Sequence, residues 1–182
     1  MQTKSLVLAA LMAGVMSILS QISIPLGPVP ITLAVWGVFL TGGLLGGRGA
    51  ALSLLVYLFL GAVGLPVFAN FKGGWPVLLG PTGGYLFGYV IAGYITGTLF
   101  EKAAARLGEH PLYFFGCTVF GLFFIYLLGM AQLKYLLNLT WIQAFNVGVK
   151  PFFALDLMKG ILAALVVVPI RRSLHAASLH SS

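Results

Sequence analysis

The chain has 182 residues, of which 60% are hydrophobic and only 7% are charged, and its mean hydropathy is +1.06. Soluble globular domains carry roughly 25% charged residues, so this composition excludes that class and predicts a protein that lies in a lipid bilayer. The formal net charge of +7 comes from basic residues scattered singly between apolar runs, which argues against a nucleic-acid partner.

Six segments are apolar enough to cross a membrane, for which a helix needs about 20 mostly apolar residues. In chain order they are residues 5–24, 31–47, 50–69, 83–100, 111–133 and 151–170. Because positive charge favours the cytoplasmic face, the basic residues between the spans place both termini in the cytoplasm. The inner side then holds Lys4, Arg48, Lys102, Arg106, Arg171 and Arg172, and the outer side holds Lys72, Lys134 and Lys150. The predicted fold is all-α: a polytopic membrane protein with a bundle of six transmembrane helices.

The polar segments are too short to form a separate soluble domain. We therefore expect residues 1–172 to form a single six-helix membrane domain with an outward-facing binding site, and residues 173–182 to form a disordered tail. No clear cleavage site follows the first apolar segment, which favours a membrane helix over a removable signal peptide.

The first span carries small residues four positions apart, Ala9 with Ala13 and Ala10 with Gly14. Small residues at this spacing let two helices approach each other closely. Similar pairs recur later as Gly42/Gly46, Gly84/Gly88 and Gly93/Gly97. The strips predict either close packing within the chain or a docking surface for the helix of a partner protein.

The segment NFKGGWPVLLGPTGGYLFGY, residues 70–89, joins an outer loop to the start of the fourth span. Its glycines permit close backbone approach, and its aromatic residues offer flat apolar surfaces with polar tips. The free N–H groups of the helix start, around Gly83 and Gly84, together with Lys72, could bind an anionic group of a small organic acid. The segment predicts a lid over a ligand site, with an interfacial aromatic belt as the alternative.

The last span contains the sequence ALDLMKG, in which Asp156 and Lys159 interrupt an apolar run. Residues three apart share a helix face, so the two side chains can pair. A lone Asp or Lys at the centre of a span costs roughly 2.5–3.5 kcal/mol, and such residues usually face the protein interior or a water-filled cavity. The pair predicts a ligand site, with an ion pair that only neutralises itself as the alternative.

The sequence lacks the usual motifs of catalysis. GPTGGY has no lysine where the phosphate-binding loop G-x-x-x-x-G-K-[ST] requires one, so we expect ATP hydrolysis only on a partner. The single Cys117 excludes an internal disulfide and a multi-cysteine metal site. With three acidic residues, general acid–base chemistry has few candidate groups. We therefore expect no enzyme activity, no catalytic residue, no metal and no cofactor.

Three segments together resemble the BioY family, the biotin-binding S components of energy-coupling factor transporters. They are IPLGPVPIT after the first span, GAVGLPVFANFKGG followed by LGPTGGYLFGY, and FALDLMKG in the last span. The resemblance runs in order over roughly residues 5–172 and implies a six-helix protein of the bacterial cytoplasmic membrane that binds biotin from outside. It also implies partners for uptake, namely a transmembrane coupling subunit and two cytoplasmic ATPase subunits.

The resemblance also implies roles for individual residues. Asp156 and Lys159 match the D-x-x-K of the family's last helix and are expected to hydrogen-bond the ureido ring of biotin. Ala9 and Ala13 match the A-x-x-x-A strip with which related S components dock on the coupling subunit. The residues that match the family's loop pattern, and are therefore candidates for ligand binding, are Asn70, Lys72, Gly73, Gly74 and Tyr85.

Two other functions stay open on the sequence. One is a self-sufficient secondary transporter of a small organic acid in which Asp156 takes up protons, so that uptake follows the proton gradient. The other is a structural or assembly protein, for which binding of a small ligand should be absent.

Overall fold

The computed structural model describes the backbone of residues 3–179 and the side chains of residues 3–174. Within that range the chain is mainly helical, with one antiparallel hairpin in which Ser23 pairs with Thr32 and Ile24 with Ile31. The elements are α1 (Thr3–Gln21), β1 (Ser23–Ile24), β2 (Ile31–Thr32), α2 (Ala34–Ala62), a 3₁₀ helix (Ala69–Phe71), α3 (Trp75–Leu78), α4 (Gly83–Leu107), α5 (Pro111–Leu137), α6 (Trp141–Gly148) and α7 (Lys150–Leu179).

Four helices in residues 3–179 are long and apolar enough to cross a membrane. They are Thr3–Gln21, Ala34–Ala62, Pro111–Leu137 and Lys150–Leu174. Helix α4 coincides with the predicted span 83–100, but its glycine, tyrosine and threonine residues make it less apolar than these four. Helix α2 corresponds to two predicted spans, 31–47 and 50–69, which are joined at a break in the helix.

Helix α2 consists of two arms that reverse direction at Gly46. The backbone of Gly46 has φ 70° and ψ 179°, which breaks the helix and which residues with a side chain rarely adopt. Val38 of the first arm and Leu54 of the second arm both lie against Gly93 of α4, so the arms run side by side. The beginning of the first arm and the end of the second also line the same cavity. The predicted bundle of six membrane-crossing helices is therefore confirmed, and the described ends of the chain, Thr3 and Leu179, lie at the same end of it.

Charged side chains from other helices satisfy the backbone groups that the reversal exposes. A helix end leaves N–H and C=O groups without partners inside the helix. Glu101 of α4 accepts a hydrogen bond from the Gly47 N–H at 3.3 Å, and Arg171 Nη1 of α7 donates to the Gly43 carbonyl at 2.9 Å. A Cβ atom at Gly46 would collide with the Glu101 carboxylate. The turn at the Gly46 end of the bundle is thus held by α4 and α7.

Helix α4 lies between α2 and α5, and glycines set how closely it approaches each of them. A Cβ atom at Gly97 would lie 2.5 Å from the Gly46 carbonyl carbon of α2. A Cβ atom at Gly88 would lie 2.8 Å from the Ile125 Cα of α5. The predicted small-residue strips of α4 therefore mediate packing within the chain.

The small residues of α1 divide between a buried face and an exposed face. Ala9 and Ala13 are only 1% and 0% exposed, because α1 packs this face against the rest of the chain, mainly α2. Within the described chain this face of α1 is therefore covered, and the docking role expected of Ala9 and Ala13 stays a prediction. Successive helical residues are rotated by about 100°, so the neighbouring pair Ala10 and Gly14 is the exposed one. No atom from elsewhere in the described chain would lie within 4 Å of a Cβ at Gly14.

Helix α7 is longer than the sequence predicts. The apolar run ends near Pro169, but the helix continues through this proline to Leu179. Proline inside a membrane helix is tolerated when neighbouring groups compensate for the lost hydrogen bond. Residues 173–179, which the sequence assigns to a disordered tail, are therefore helical in the structure, and residues 180–182 lie outside the described part.

Candidate ligand-binding site

A cavity of roughly 210 Å³ lies at the end of the bundle opposite the Gly46 reversal. Helices α1, α2, α4, α5 and α7 contribute to its wall, and the turn of the β1–β2 hairpin covers it from one side. From the other side it is covered by residues 66–72, which we call the lid segment. Its polar lining residues are Ser20, Thr32, Tyr57, Asn70, Lys72, Thr82, Tyr85, Tyr89, Tyr126, Asp156 and Lys159.

The acid–base pair of α7 lies in the wall of this cavity. Lys159 Nζ is 2.6 Å from Asp156 Oδ1, and the two residues are only 8% and 4% exposed. Lys159 also donates to the backbone carbonyl of Thr32 at 2.8 Å, which ties α7 to the hairpin. The hydroxyl of Tyr126 donates to Asp156 Oδ2 at 2.8 Å. Each charge therefore has two polar partners, as a buried charge requires.

The pair keeps hydrogen-bonding capacity for a ligand. An ammonium has three N–H donors, and the structure assigns two of the three on Lys159 to Asp156 and Thr32. An ionised carboxylate can accept about four hydrogen bonds, and Asp156 accepts one at each oxygen from protein groups. The site can therefore present one donor and one acceptor side by side to a neutral polar ligand.

The end of α1 holds the lid segment in place through Gln21. The Gln21 side-chain amide donates to the carbonyls of Pro66 and Phe68, each at 3.2 Å, and its carbonyl accepts from the Phe71 N–H at 2.9 Å. Asn70 and Phe71 have positive φ angles of 59° and 55°, which are uncommon for residues other than glycine. The single side chain of Gln21 thus stabilises a lid conformation that the backbone alone disfavours.

The lid segment is also joined to the hairpin. Ser23 Oγ donates to Asn70 Oδ1 at 3.0 Å, so the two covers of the cavity contact each other. Lys72 pairs its backbone with Phe68, and its side chain is exposed at the rim of the cavity. A ligand must therefore pass the lid segment or the hairpin to reach Asp156 and Lys159.

The structure brings five of the seven predicted ligand-binding residues to the cavity: Asp156, Lys159, Asn70, Lys72 and Tyr85. Tyr85 contributes its ring, because its hydroxyl donates to the Gly148 carbonyl of α6 at 2.8 Å. The anion site expected at the start of α4 has only Thr82 at the cavity, since Gly83 and Gly84 pack against Leu78 and Leu128.

The other two predicted residues shape the loop and do not line the cavity. A Cβ atom at Gly73 would clash with the Leu65 carbonyl, so this position requires glycine for close packing. Gly74 has φ 88°, and its N–H donates to the Gly61 carbonyl at 2.6 Å. Both glycines therefore pack the end of the lid segment against residues 61 and 65 instead of contacting a ligand.

Several lining residues were not anticipated from the sequence. Tyr126, a polar residue in the apolar run FFIYLLG, was a recognisable signal in the fifth span. Thr32 contacts Lys159 through its backbone carbonyl, which no side-chain pattern reveals. Ser20 comes from the first predicted span and Tyr57 from the third, both outside the quoted motifs, and only the folded chain brings them together.

The fold and the site define a class of protein: an integral membrane protein with a polar-lined cavity at one end of a six-helix bundle. The BioY family model matches residues 1–176, and this chain belongs to the BioY family. Because this is a family of transport proteins, the predictions of a membrane transport component and of no enzyme activity are confirmed.

Two relatives illustrate the similarity. The biotin transporter BioY of Thermotoga maritima is 41% identical over 169 residues, which cover 93% of this chain and 96% of that protein. The probable biotin transporter BioY of Pyrococcus horikoshii is 39% identical over 166 residues, which cover 91% and 95%.

A solved structure has the same fold. The crystal structure of the S-component for biotin from an ECF-type ABC transporter matches with a TM-score of 0.86 and 28% sequence identity. The match covers 94% of this chain and 92% of that chain. The all-α membrane fold and the resemblance found in the sequence are thereby confirmed.

Proposed function

We propose that this protein captures biotin at the outer face of the membrane as the S component of an energy-coupling factor transporter. The observation that carries the proposal is the buried Asp156–Lys159 pair in the wall of an enclosed cavity. The relatives named as biotin transporters, and the similar S-component for biotin, support this choice of ligand.

The chemistry of the pair fits the ureido ring of biotin. A ureido group is neutral and carries two N–H donors on either side of one carbonyl acceptor. Asp156 accepts one N–H, and the remaining N–H of Lys159 donates to the carbonyl. An analogue without the carbonyl would leave the buried ammonium without that partner, which costs about 1–3 kcal/mol or more for a charged group.

The rest of the cavity fits the apolar ring and the acidic chain of biotin. Phe68, Tyr85 and Tyr89 line it with aromatic surface, which suits the tetrahydrothiophene ring. Lys72 and Asn70 lie at the rim, where a positive charge and an amide can meet the carboxylate of the side chain. The ligand therefore binds with its ureido ring inward and its carboxylate toward the lid segment.

The contacts of Asp156 also bear on how transport is powered. A proton carrier must release and take up protons, but this carboxylate is bonded to Lys159 and to Tyr126. Both carboxylate oxygens are engaged by protein groups, which favours a fixed ligand-binding role for Asp156 over a role as a mobile proton carrier. Since the sequence also lacks a phosphate-binding loop, ATP hydrolysis is assigned to two cytoplasmic ATPase subunits that act through a transmembrane coupling subunit.

Helix α1 offers the coupling subunit an open face within the membrane. Ala10 and Gly14 form its exposed small strip, flanked by the exposed side chains of Val7, Leu11 and Ile18. Small residues let a partner helix approach closely. The docking strip is therefore assigned to Ala10 and Gly14 instead of Ala9 and Ala13.

Reconstitution into liposomes tests this function against the proton-coupled alternative. The protein is inserted either alone or together with the coupling and ATPase subunits, and uptake of radiolabelled biotin is measured with and without internal or external ATP. We expect uptake that requires both the module and ATP. Uptake by the protein alone that follows an imposed proton gradient would contradict the proposal.

A further inference from the structure

Ser20 of α1 and Tyr57 of the second arm of α2 form a buried polar pair at the cavity. Their oxygens are 2.8 Å apart, and both residues line the cavity while remaining buried. The ring of Tyr57 packs edge-on against Phe68 of the lid segment with centroids 5.5 Å apart, which fixes the position of its hydroxyl. The contacts assigned above to the ureido ring do not use this pair.

The direction of the hydrogen bonds in this pair follows from the contacts of Ser20. Ser20 Oγ is also 2.8 Å from the carbonyl of Met16, which can only accept. A serine hydroxyl has one hydrogen, so Ser20 donates it to Met16. Tyr57 must then donate its own hydrogen to Ser20, and its hydroxyl oxygen presents lone pairs. Toward a ligand, Tyr57 is therefore an acceptor.

We propose that Tyr57, held as an acceptor by Ser20, binds the second N–H of the ureido ring and so determines ligand specificity. This inference rests on the proposed function. The two N–H bonds of a cyclic urea diverge on either side of the carbonyl, so one carboxylate cannot accept both. Asp156 and Lys159 supply one acceptor and one donor, and the ring needs a second acceptor. A buried N–H without one would cost about 1–3 kcal/mol.

The position of Tyr57 separates it from the hydroxyls of Tyr126 and Tyr85. Tyr126 is bonded to Asp156 and shares its side of the site, and Tyr85 is bonded to the Gly148 carbonyl. Tyr57 belongs to the wall formed by α1 and α2, whereas Asp156 and Lys159 belong to α7. An acceptor on that wall also repels a carboxylate, which agrees with a ligand whose acidic chain points toward Lys72.

Calorimetric titration with three ligands tests the inference. The ligands are biotin and its two cyclic carbamate analogues, each with oxygen in place of one ureido N–H. We expect Tyr57→Phe to weaken biotin binding by about tenfold or more. One of the two analogues lacks the N–H that donates to Tyr57. Tyr57→Phe and the wild type should bind this analogue with affinities that agree within about twofold. Tyr94→Phe, outside the cavity, is the matched control and should leave all three affinities unchanged within about twofold.

Ser20→Ala provides a second test that keeps the tyrosine ring. Without Ser20, the Tyr57 hydroxyl is free to rotate and donate, so the preference for biotin over the same analogue should shrink by about threefold or more. If Tyr57→Phe does not fold, the affinities of Ser20→Ala for the same three ligands test the inference. Equal losses for all three ligands, or unchanged biotin affinity, would overturn the inference. If the wild type does not bind biotin, the proposed function itself fails.

Discussion

Lys159 Nζ lies 2.6 Å from Asp156 Oδ1, one helical turn along α7, and both side chains are buried in the wall of the cavity. Two charges at this depth are tolerable only because each neutralises the other and because Thr32 and Tyr126 provide further hydrogen bonds. The same arrangement leaves one donor and several acceptor positions for a ligand. The pair therefore links the stability of the bundle to its binding function.

Removing one member of the pair should damage both stability and binding. We expect Asp156→Asn or Lys159→Met to weaken biotin binding by at least about tenfold. Each should also lower the free energy of unfolding by about 3–5 kcal/mol, because the remaining charge is buried without its partner. Calorimetry and thermal unfolding in detergent measure the two effects.

The double variant and a lysine on the same helix serve as controls for the pair. Asp156→Asn combined with Lys159→Met should recover much of the lost stability, since neither charge remains, but not the affinity. Lys150 is exposed and lies outside the cavity, so Lys150→Met should leave both the stability and the biotin affinity unchanged. Wild-type affinity in correctly folded single variants would remove Asp156 and Lys159 from the site.

Gln21 should control how long the ligand stays bound. Gln21→Leu removes the three hydrogen bonds to the lid segment, so we expect faster biotin release, by about fivefold or more, with a smaller change in the association rate. Hydrogen exchange of residues 66–71 should also accelerate in the protein without biotin. Gln132→Leu is the matched control, because the Gln132 side-chain amide also donates to two backbone carbonyls, but these belong to Leu78 and Gly80 outside the lid segment. Identical hydrogen-exchange rates of residues 66–71 in wild type and Gln21→Leu would show that Gln21 does not stabilise the lid segment.

Gly46 should be intolerant of any side chain. Gly46→Ala places a Cβ against the Glu101 carboxylate at a positive φ angle, so we expect it to destabilise the protein by at least about 2 kcal/mol. Thermal unfolding measures the change. Gly116→Ala on α5 is the control, because a Cβ there meets no atom within 4 Å, and it should be close to neutral. Equal unfolding temperatures for Gly46→Ala and wild type would contradict the reversal described at this position.

The exposed strip of α1 should be needed for assembly but not for ligand binding. Gly14→Leu adds bulk where the described chain leaves open space, so folding and biotin affinity should be retained while co-purification with the coupling subunit is lost. Gly116→Leu adds the same bulk at another open position and should assemble normally. Assembly of Gly14→Leu at the wild-type level would show that this face of α1 is not the docking surface for the coupling subunit.

The features that the sequence predicts well are those with strong local signals. Long apolar runs determine the spans, and Asp156 with Lys159 is conspicuous because it interrupts one of them. The glycine-rich stretch around Gly46 also places the division between the second and third spans within a few residues. In each case the physical cause lies in neighbouring residues.

The features that the sequence predicts poorly depend on contacts between distant segments. Helix α1 is apolar all round, so its pattern does not show that Ala9 and Ala13 face inward while Ala10 and Gly14 face outward. Gln21 contacts the lid segment across about 45–50 positions, and Thr32 reaches Lys159 through a backbone carbonyl. Such contacts are specified by the packing of the whole bundle.

The most direct test of the central claim is calorimetric titration of biotin into the purified protein in detergent. The control ligand is a biotin analogue that lacks the ureido carbonyl, and a cooperative thermal transition shows that the protein is folded. We predict saturable binding with a Kd below about 1 μM, weakened by at least tenfold for the analogue. Absence of both heat and thermal stabilisation with biotin, in folded protein, would contradict the assignment of this cavity to biotin.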